Sequence, residues 1–324
     1  MGITRMEIIV NPHWENHKNP FFTVITPVYN RRSTIGRTMI SVEKQTFSPI
    51  EYIIIDDGST APSDDLISEF MNSTRLPVMY IKKENGGVHT ARNVGIDHAN
   101  GKFLICIDSD DELVPDACQD FYDEWTRIPD EEKENVWQIK ALCIDQDGKM
   151  VSSPFPDDIN SIEPQKAKAF FSMSSGEQLG CRSVQILKDN KFPEPRWVKF
   201  VNENNLWVYL ESKYRSWGMN KVVRIYHTEG DNRLSNVGKK TVQNCIDSLW
   251  NSFNALENAD YLIHSKKEYL FEMLRYNIMR NILRKRKPEV SREYRISAKK
   301  ARLWSPLMYL PAKVGAYLYA KKRM

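Results

Sequence analysis

The sequence has few cysteines and no apolar leader. Five cysteines are spread over 324 residues, and no two of them form a C-x-x-C pair. This spacing argues against a disulfide framework or a structural zinc site and favours a reducing cytoplasm. Residues 1–20 lack the apolar run of a secretory signal peptide. Internal repeats and low-complexity tracts are also missing, and the content of 41% hydrophobic and 27% charged residues indicates a packed globular protein.

Charge is unevenly distributed along the chain. The formal net charge is +4, but residues 275–324 contain fifteen Lys or Arg residues and two acids, so this segment carries +13 and the remainder −9. An acidic body with a basic end predicts an anionic partner for that end alone.

Short apolar runs alternate with helical patterns from Phe21 to about Ala141. The runs predict strands at 21–26, 52–56, 78–82 and 102–108, and the helical patterns lie at 33–45, 62–73, 89–100 and 115–127. Gly101 is expected to cap the third of these helices. Continuous apolar strands separated by helices predict a mainly parallel sheet covered on both faces. Residues 135–230 predict one further strand, at 136–144, and residues 241–287 predict helices.

Four polar motifs fall where the predicted strands end, which is where open α/β sheets bind ligands. They are TPVYN at 26–30, IDDGS at 55–59, NGG followed by ARN within 85–93, and DSDDE at 108–112. Each of them alone is compatible with an ordinary turn or helix cap.

The DSDDE motif has the strongest chemical signal. Four acids within five residues repel one another unless a cation or hydrogen-bond donors compensate their charge. Mg²⁺ and Mn²⁺ take oxygen ligands and commonly join one or two carboxylates to a diphosphate. A solvated acidic turn that caps the helix near Pro115 is the alternative interpretation.

The order and spacing of these motifs over 21–112 resemble glycosyltransferase family 2, the inverting enzymes with the GT-A fold. The resemblance implies an α/β architecture: a Rossmann-like, mainly parallel mixed sheet with helices on both faces, plus a C-terminal helical basic extension. The implied boundaries are an N-terminal extension at 1–20, a catalytic domain at 21–235 and the extension at 236–324. Within the catalytic domain, 21–115 is the nucleotide-binding part and 116–235 the acceptor part.

The resemblance also implies roles for individual residues. The residues that would bind the nucleotide-sugar are Thr26, Pro27, Tyr29, Asp56, Asp57, Arg92, Asp108 and Ser109. Asp110 would contact Mn²⁺ or Mg²⁺ directly, with Asp108 holding ribose or a water on the metal, and Asp111 is a further candidate.

Residues beyond 116 are assigned more loosely. Glu203 is the candidate catalytic base, with Glu194 and Glu211 as rivals. His227 is expected to complete the metal shell or bind a phosphate, and otherwise is a structural histidine at a strand end. Arg233 and Ser235 are candidates for a loop that closes over the diphosphate.

The resemblance implies a metal-dependent inverting transferase. It would move a sugar from a nucleotide-sugar, most simply a UDP-sugar, to a glycan or lipid-linked acceptor hydroxyl in surface polysaccharide or lipooligosaccharide synthesis. Processive members carry Q-x-x-R-W; here Arg196 and Trp197 are present but Pro193 replaces the glutamine, which favours single addition. A catalytically inert, membrane-docked nucleotide-sugar binder and a sugar nucleotidyltransferase are the alternatives.

The basic end carries an apolar, aromatic segment at 303–320 that prolines interrupt. Because a spanning helix needs about 20 predominantly apolar residues, this segment is expected to lie in the membrane interface. The sequence thus predicts a cytoplasmic protein, peripheral on the inner face of the cytoplasmic membrane through residues 275–324. A helix packed on the catalytic domain is the alternative. A nucleic-acid partner is not expected, because the body is acidic and no nucleic-acid module is recognised.

Overall fold

The described strands form one mixed sheet, and helices of the first half of the chain cover both of its faces. The computed structural model describes residues 6–156, 161–164, 176–228, 241–263 and 266–296. Arg233, Ser235 and the segment 303–320 lie outside the described residues. The strands are β1 (Glu7–Val10), β2 (Phe22–Val28), β3 (Ile50–Asp56), β4 (Val78–Lys82), β5 (Phe103–Cys106), β6 (Glu112–Leu113), β7 (Val136–Asp145), β8 (Ser161–Ile162), β9 (Gln178–Ser183) and β10 (Arg215–Tyr226).

The helices are numbered in the same way. They are α1 (Pro12–Asn16), α2 (Ile35–Glu43), α3 (Asp64–Ser73), α4 (Val88–His98), α5 (Ala117–Arg127), α6 (Asp130–Lys133), α7 (Val184–Asp189), α8 (Asn204–Glu211), α9 (Val242–Glu257), α10 (Ala259–Leu262), α11 (Lys266–Arg286) and α12 (Pro288–Glu293).

The centre of the sheet is the parallel layer that the apolar runs predict. The strand order is β1-β4-β3-β2-β5-β9-β7-β10-β6, with β8 on β10, and β2 to β5 run parallel. Alternate residues serve the two faces: Val24 and Ile54 belong to the core that α2 and α3 cover. On the other face, α4 approaches so closely that a Cβ on Gly95 would lie 3.1 Å from Ile25 and Ile55. The predicted fold class, with both faces covered, is confirmed.

The second half of the sheet differs from the prediction of a single strand within 135–230. β9 lies between β5 and β7 and is antiparallel to both, and β10 runs parallel to β7 over twelve residues with register shifts. The apolar pattern missed β10 because it contains Asn220, Lys221 and Arg224. β10 also pairs with β6, which places Ile225 opposite Glu112.

Gly101 does not cap α4, contrary to expectation. The helix ends at His98, and Ala99 is the capping residue with an extended conformation. Gly101 allows a close approach instead, because a Cβ there would lie 2.6 Å from the main-chain nitrogen of Thr23. The requirement for glycine is therefore a steric one against β2.

The described residues divide into two compact units. One comprises the residues up to Phe192 together with 210–228, and it holds the whole sheet. The other comprises Pro193–Tyr209 and the residues from Thr241 onwards, where α11 packs on α9 and α12. Residues of the predicted N-terminal extension form β1 and α1, and the predicted domain boundaries stay a prediction. Of the helices described, none has both the length and the apolar content needed to cross a bilayer.

Candidate active site

The acidic loop 108–112 follows the central strand β5 and is closed by a turn. The N–H of Asp111 donates to the carbonyl of Asp108 at 3.1 Å. Each carboxylate of the loop faces a cationic or imidazole side chain from elsewhere in the same unit. The pairs are Asp108 with Arg92 at 3.4 Å, Asp110 with Arg31 at 3.7 Å, Asp111 with Arg224 at 3.6 Å and Glu112 with His227 at 2.7 Å.

The acids of this loop differ in their access to solvent. The side chain of Asp108 is 46% exposed and that of Asp110 is 21% exposed. Asp111 is only 1% exposed, and burial raises its pKa to about 7. Ser109 is also buried. Glu112 is 32% exposed, but its Oε1 lies 2.7 Å from His227 Nε2. Asp108 and Asp110 thus combine access for a ligand with longer contacts, of 3.4 Å or more, to their cationic partners.

His227 reaches the acidic loop through the pairing of β10 with β6. Its main-chain N–H donates to Asp111 Oδ1 at 3.0 Å, and its Nε2 lies 2.7 Å from Glu112 Oε1. These residues are more than a hundred positions apart, so no local sequence pattern predicts the contact. The structure therefore brings His227 together with the acids, as the sequence predicts, although its ring faces Glu112.

Arg92 approaches the loop from the other side. It lies on α4, is largely buried, and donates from Nη2 to Asp108 Oδ1 at 3.4 Å. Its guanidinium carbon lies 5.9 Å from the centre of the Phe192 ring. Arg92, Asp108, Asp110 and His227 thus surround the end of β5.

Asp57 is buried and fully hydrogen-bonded. Its side chain is 4% exposed and forms an ion pair with Lys83 Nζ at 2.5 Å. The same carboxylate accepts from the main-chain N–H groups of Gly86 and Gly87 at 2.9 and 2.7 Å and from Asn85 Nδ2 at 3.2 Å. These four donors fill the lone-pair sites of an ionised carboxylate. A direct bond from Asp57 to a nucleoside therefore requires one of them to leave.

The neighbouring predicted residues show a similar contrast. Asp56 is buried and accepts from the N–H of Ser59 at 2.7 Å. Thr26 and Pro27 are buried within β2, and Thr26 Oγ1 accepts from the Tyr52 hydroxyl at 3.0 Å. Tyr29, by contrast, is 46% exposed.

Asn30 was missed as a functional position. It has a positive φ of 53°, and its Oδ1 accepts from the main-chain N–H groups of Thr60 and Ala61 at 2.9 and 3.0 Å. Asn30 therefore ties the loop after β2 to the loop after β3. The available signal was an asparagine directly after a buried strand, since this residue type tolerates the left-handed conformation.

Glu203 belongs to the other unit, at the start of α8. Its Oε2 accepts from Trp207 Nε1 at 3.1 Å. The segment before it is held by α9: Asp247 accepts from the N–H of Lys199 at 2.8 Å, and Asn251 accepts from that of Asn202 at 2.9 Å. The candidate base thus stands on a segment fixed by hydrogen bonds within its own unit.

The two rivals of Glu203 differ in their surroundings. Glu211 is buried, with Lys140 Nζ 2.7 Å and Gln138 Nε2 3.0 Å away. The carboxylate of Glu211 is therefore paired with Lys140 of β7 and is buried. Glu194 is exposed.

The donor set suits a divalent cation shared with a ligand. Among the residues that the structure describes, no three His, Cys, Asp or Glu side chains are grouped so that they would hold a metal by themselves. Mg²⁺ and Mn²⁺ are commonly held by one or two carboxylates plus the phosphates of the substrate. The accessible oxygens of Asp108 and Asp110 fit that arrangement.

The sequence comparisons match the first third of the chain most strongly. Residues 23–132 match the model of glycosyl transferase family 2. Glycosyltransferase GlyA of Streptococcus pneumoniae is 35% identical over 100 residues, which are 31% of this chain and 14% of GlyA. The GalNAc(5)-diNAcBac-PP-undecaprenol beta-1,3-glucosyltransferase of Campylobacter jejuni is 25% identical over 210 residues, which are 64% of each chain. The chain thus spans less than two thirds of the length of these relatives.

The structural comparison covers more of the chain. The crystal structure of Staphylococcus aureus TarS 1-349 in complex with UDP-GlcNAc has a TM-score of 0.56 and 17% identity, covering 93% of this chain and 92% of TarS 1-349. The architecture is therefore the GT-A fold. Residues 23–132 match the family 2 glycosyltransferase model, and the resemblance read from the four motifs is confirmed.

We predict that Asp57→Asn lowers the free energy of unfolding by about 3–5 kcal/mol, because it leaves the buried Lys83 ammonium without its counter-charge. Urea denaturation followed by circular dichroism measures this change. Asp65→Asn is the matched control, since Asp65 pairs with Arg32 at the surface and its loss is expected to change little. If Asp57→Asn were as stable as the control, Asp57 would not be the counter-charge that stabilises Lys83.

Proposed function

We propose that the chain is a glycosyltransferase that moves a sugar from a UDP-sugar to a hydroxyl of a glycan or lipid-linked acceptor in bacterial surface-glycan synthesis. The observation that carries this proposal is the cluster of Arg92, Asp108, Asp110 and His227 at the end of β5. Two comparisons support the ligand classes: the name of the Campylobacter relative specifies an undecaprenol-linked acceptor, and the TarS structure contains UDP-GlcNAc.

Asp110 and Asp108 would hold Mn²⁺ or Mg²⁺ in this proposal. The bound cation would supply Lewis-acid neutralisation of the diphosphate leaving group. Arg92 presents a fork of N–H donors suited to phosphate oxygens. His227 would bind a phosphate at the same loop by exchanging the contact of its Nε2 with Glu112.

The nucleoside would stack on Tyr29, the exposed aromatic residue at the end of β2. Thr26 and Pro27 would form the floor beneath it. Asp56 and Asp57 would contribute mainly by fixing the loops at 57–59 and 83–87.

The transfer would be a single displacement with inversion. The acceptor oxygen attacks the anomeric carbon, and the bond from that carbon to the diphosphate oxygen breaks. The acceptor hydroxyl proton goes to the carboxylate of Glu203, which acts as the general base. One base suffices, because inversion in one step needs no nucleophilic carboxylate.

We predict that Asp110→Asn lowers turnover of the donor by about 100-fold or more, as expected when several kcal/mol of charge stabilisation are lost. The measurement is release of free UDP from a panel of UDP-sugars in Mn²⁺. Asp116→Asn is the matched control, since Asp116 is an exposed acid just beyond the cluster. Wild-type turnover by Asp110→Asn would refute the metal role, and binding without UDP release by the wild type would favour an inert sugar-nucleotide binder.

We predict that Glu203→Gln lowers kcat by about 10²–10⁴-fold, the usual contribution of a general base, while UDP binding stays within twofold. Removal of the base also removes the acidic limb of the pH–rate profile. Glu194→Gln is tested in parallel, because Glu194 is the exposed rival. Loss of kcat in Glu194→Gln but not in Glu203→Gln would transfer the assignment.

The basic end of the chain would attach the protein to the inner face of the cytoplasmic membrane. Arg284, Lys285, Arg286 and Lys287 are exposed consecutively where α11 ends. Near an anionic surface each such cation contributes about 1 kcal/mol. This patch would act together with residues 297–324, which the structure does not describe.

We predict that the full chain co-sediments with phosphatidylglycerol vesicles and that replacing the four cations at 284–287 by Gln weakens this binding by at least about tenfold. A chain carrying Gln at the exposed cations Lys18, Lys44, Arg75 and Arg127 is the control. Equal partitioning of the two variants would contradict attachment through α11.

A further inference from the structure

Helix α2 contacts the main chain of the acidic loop through a row of polar side chains. Thr38 Oγ1 donates to the carbonyl of Asp111 at 2.7 Å, and Ser41 Oγ accepts from the N–H of Leu113 at 3.1 Å. Gln45, just beyond the helix, donates from Nε2 to the carbonyl of Val114 at 2.8 Å. The helix therefore fixes the path of the loop without using any of its carboxylates.

Arg37 begins this row and contacts the residue that matters most for the site. Its Nε and Nη2 both donate to the main-chain carbonyl of Asp110, at 2.9 and 2.5 Å. Two N–H groups on one oxygen hold the peptide plane in one orientation. A planar guanidinium can do this, whereas the ammonium of lysine has no fixed fork.

The bonds to the carbonyl leave the carboxylate of Asp110 accessible. Its Oδ2 lies 3.7 Å from Arg31 Nε, which is beyond hydrogen-bond distance, and the side chain keeps 21% of its exposure. A cation on the main chain thus lowers the repulsion among the neighbouring acids without occupying the oxygens that a ligand would need. This separates Asp110 from Asp57, whose oxygens are filled by internal donors.

We propose that Arg37 is a positioning residue, which directs the carboxylate of Asp110 toward a divalent cation by clamping the Asp110 carbonyl. This inference rests on the proposed function, in which Asp110 holds the metal. Groups that orient metal ligands in this way typically contribute 10- to 100-fold to metal affinity or activity. Arg37 itself contacts neither the metal nor the nucleotide in this scheme.

The test is calorimetric titration of the full chain with UDP, once in Mn²⁺ and once in EDTA. The ratio of the two affinities isolates the metal-dependent part of binding. We expect Arg37→Gln to reduce that ratio by about 10- to 100-fold, with the affinity in EDTA within twofold of wild type. Arg37→Lys is expected to fall between the two, because it restores the charge but not the fork.

Arg32→Gln is the matched control. Arg32 is five residues away and exposed, and it pairs with Asp65 at the surface. For Arg32→Gln, the ratio of the UDP affinities in Mn²⁺ and in EDTA is expected to equal that of the wild type. Thermal melts of all variants in EDTA show whether the fold is retained.

Three results would overturn the inference. A folded Arg37→Gln with the wild-type ratio would remove the link between Arg37 and the metal. A loss of affinity that is equal in Mn²⁺ and in EDTA would make Arg37 a general support of the loop. If the wild type itself gains no affinity from Mn²⁺, the proposed function fails at the metal, and the inference fails with it.

Discussion

The site depends on compensating the charge of four acids placed directly after a buried strand. Like charges on neighbouring residues of a partly buried loop repel one another more strongly than they would in water. The chain supplies the opposing groups from three separate segments. They are Arg31 and Arg37 around the start of α2, Arg92 on α4, and Arg224 with His227 at the end of β10. The acidic loop consequently contacts elements from both halves of the sheet, which are joined by the pairing of β5 with β9.

This constraint explains why the first half of the fold was predictable from sequence and the second was not. β2 to β5 are continuous apolar runs because both faces are buried, and that signal is local. β10 carries polar residues because they bind distant partners. Arg224 lies against Asp111, and Asn220 exchanges two hydrogen bonds of 2.8 Å with the main chain of Phe155. The alternation of apolar and polar residues that predicts a strand carries no information about such partners, so it did not predict β10.

Motif identity predicted where the polar residues gather but not which donors reach each of them. Asp57 and Asp110 both follow strands in acidic motifs, and nothing in those motifs indicates how far each carboxylate is hydrogen-bonded. The structure separates them by the donors that reach them: Lys83 and the amides of Gly86 and Gly87 fill the carboxylate of Asp57, whereas Arg37 takes only the carbonyl of Asp110. The donors to Asp57 come from a loop some thirty residues away. The sequence around Asp57 therefore does not indicate that donors occupy both of its carboxylate oxygens.

The two units also differ in the groups that orient the segments carrying their candidate carboxylates. In the sheet unit, functional carboxylates are oriented by cations and main-chain amides. In the other unit, side chains of α9 orient the segment before Glu203. Asn251 accepts from the N–H of Asn202 and donates to the carbonyl of Phe200, both at 2.9 Å. These contacts fix the main chain before Glu203, and the Glu203 carboxylate itself accepts from Trp207 Nε1 at 3.1 Å. In the proposed mechanism both carboxylates need a fixed main chain, because a general base and a metal ligand each act only from a defined position.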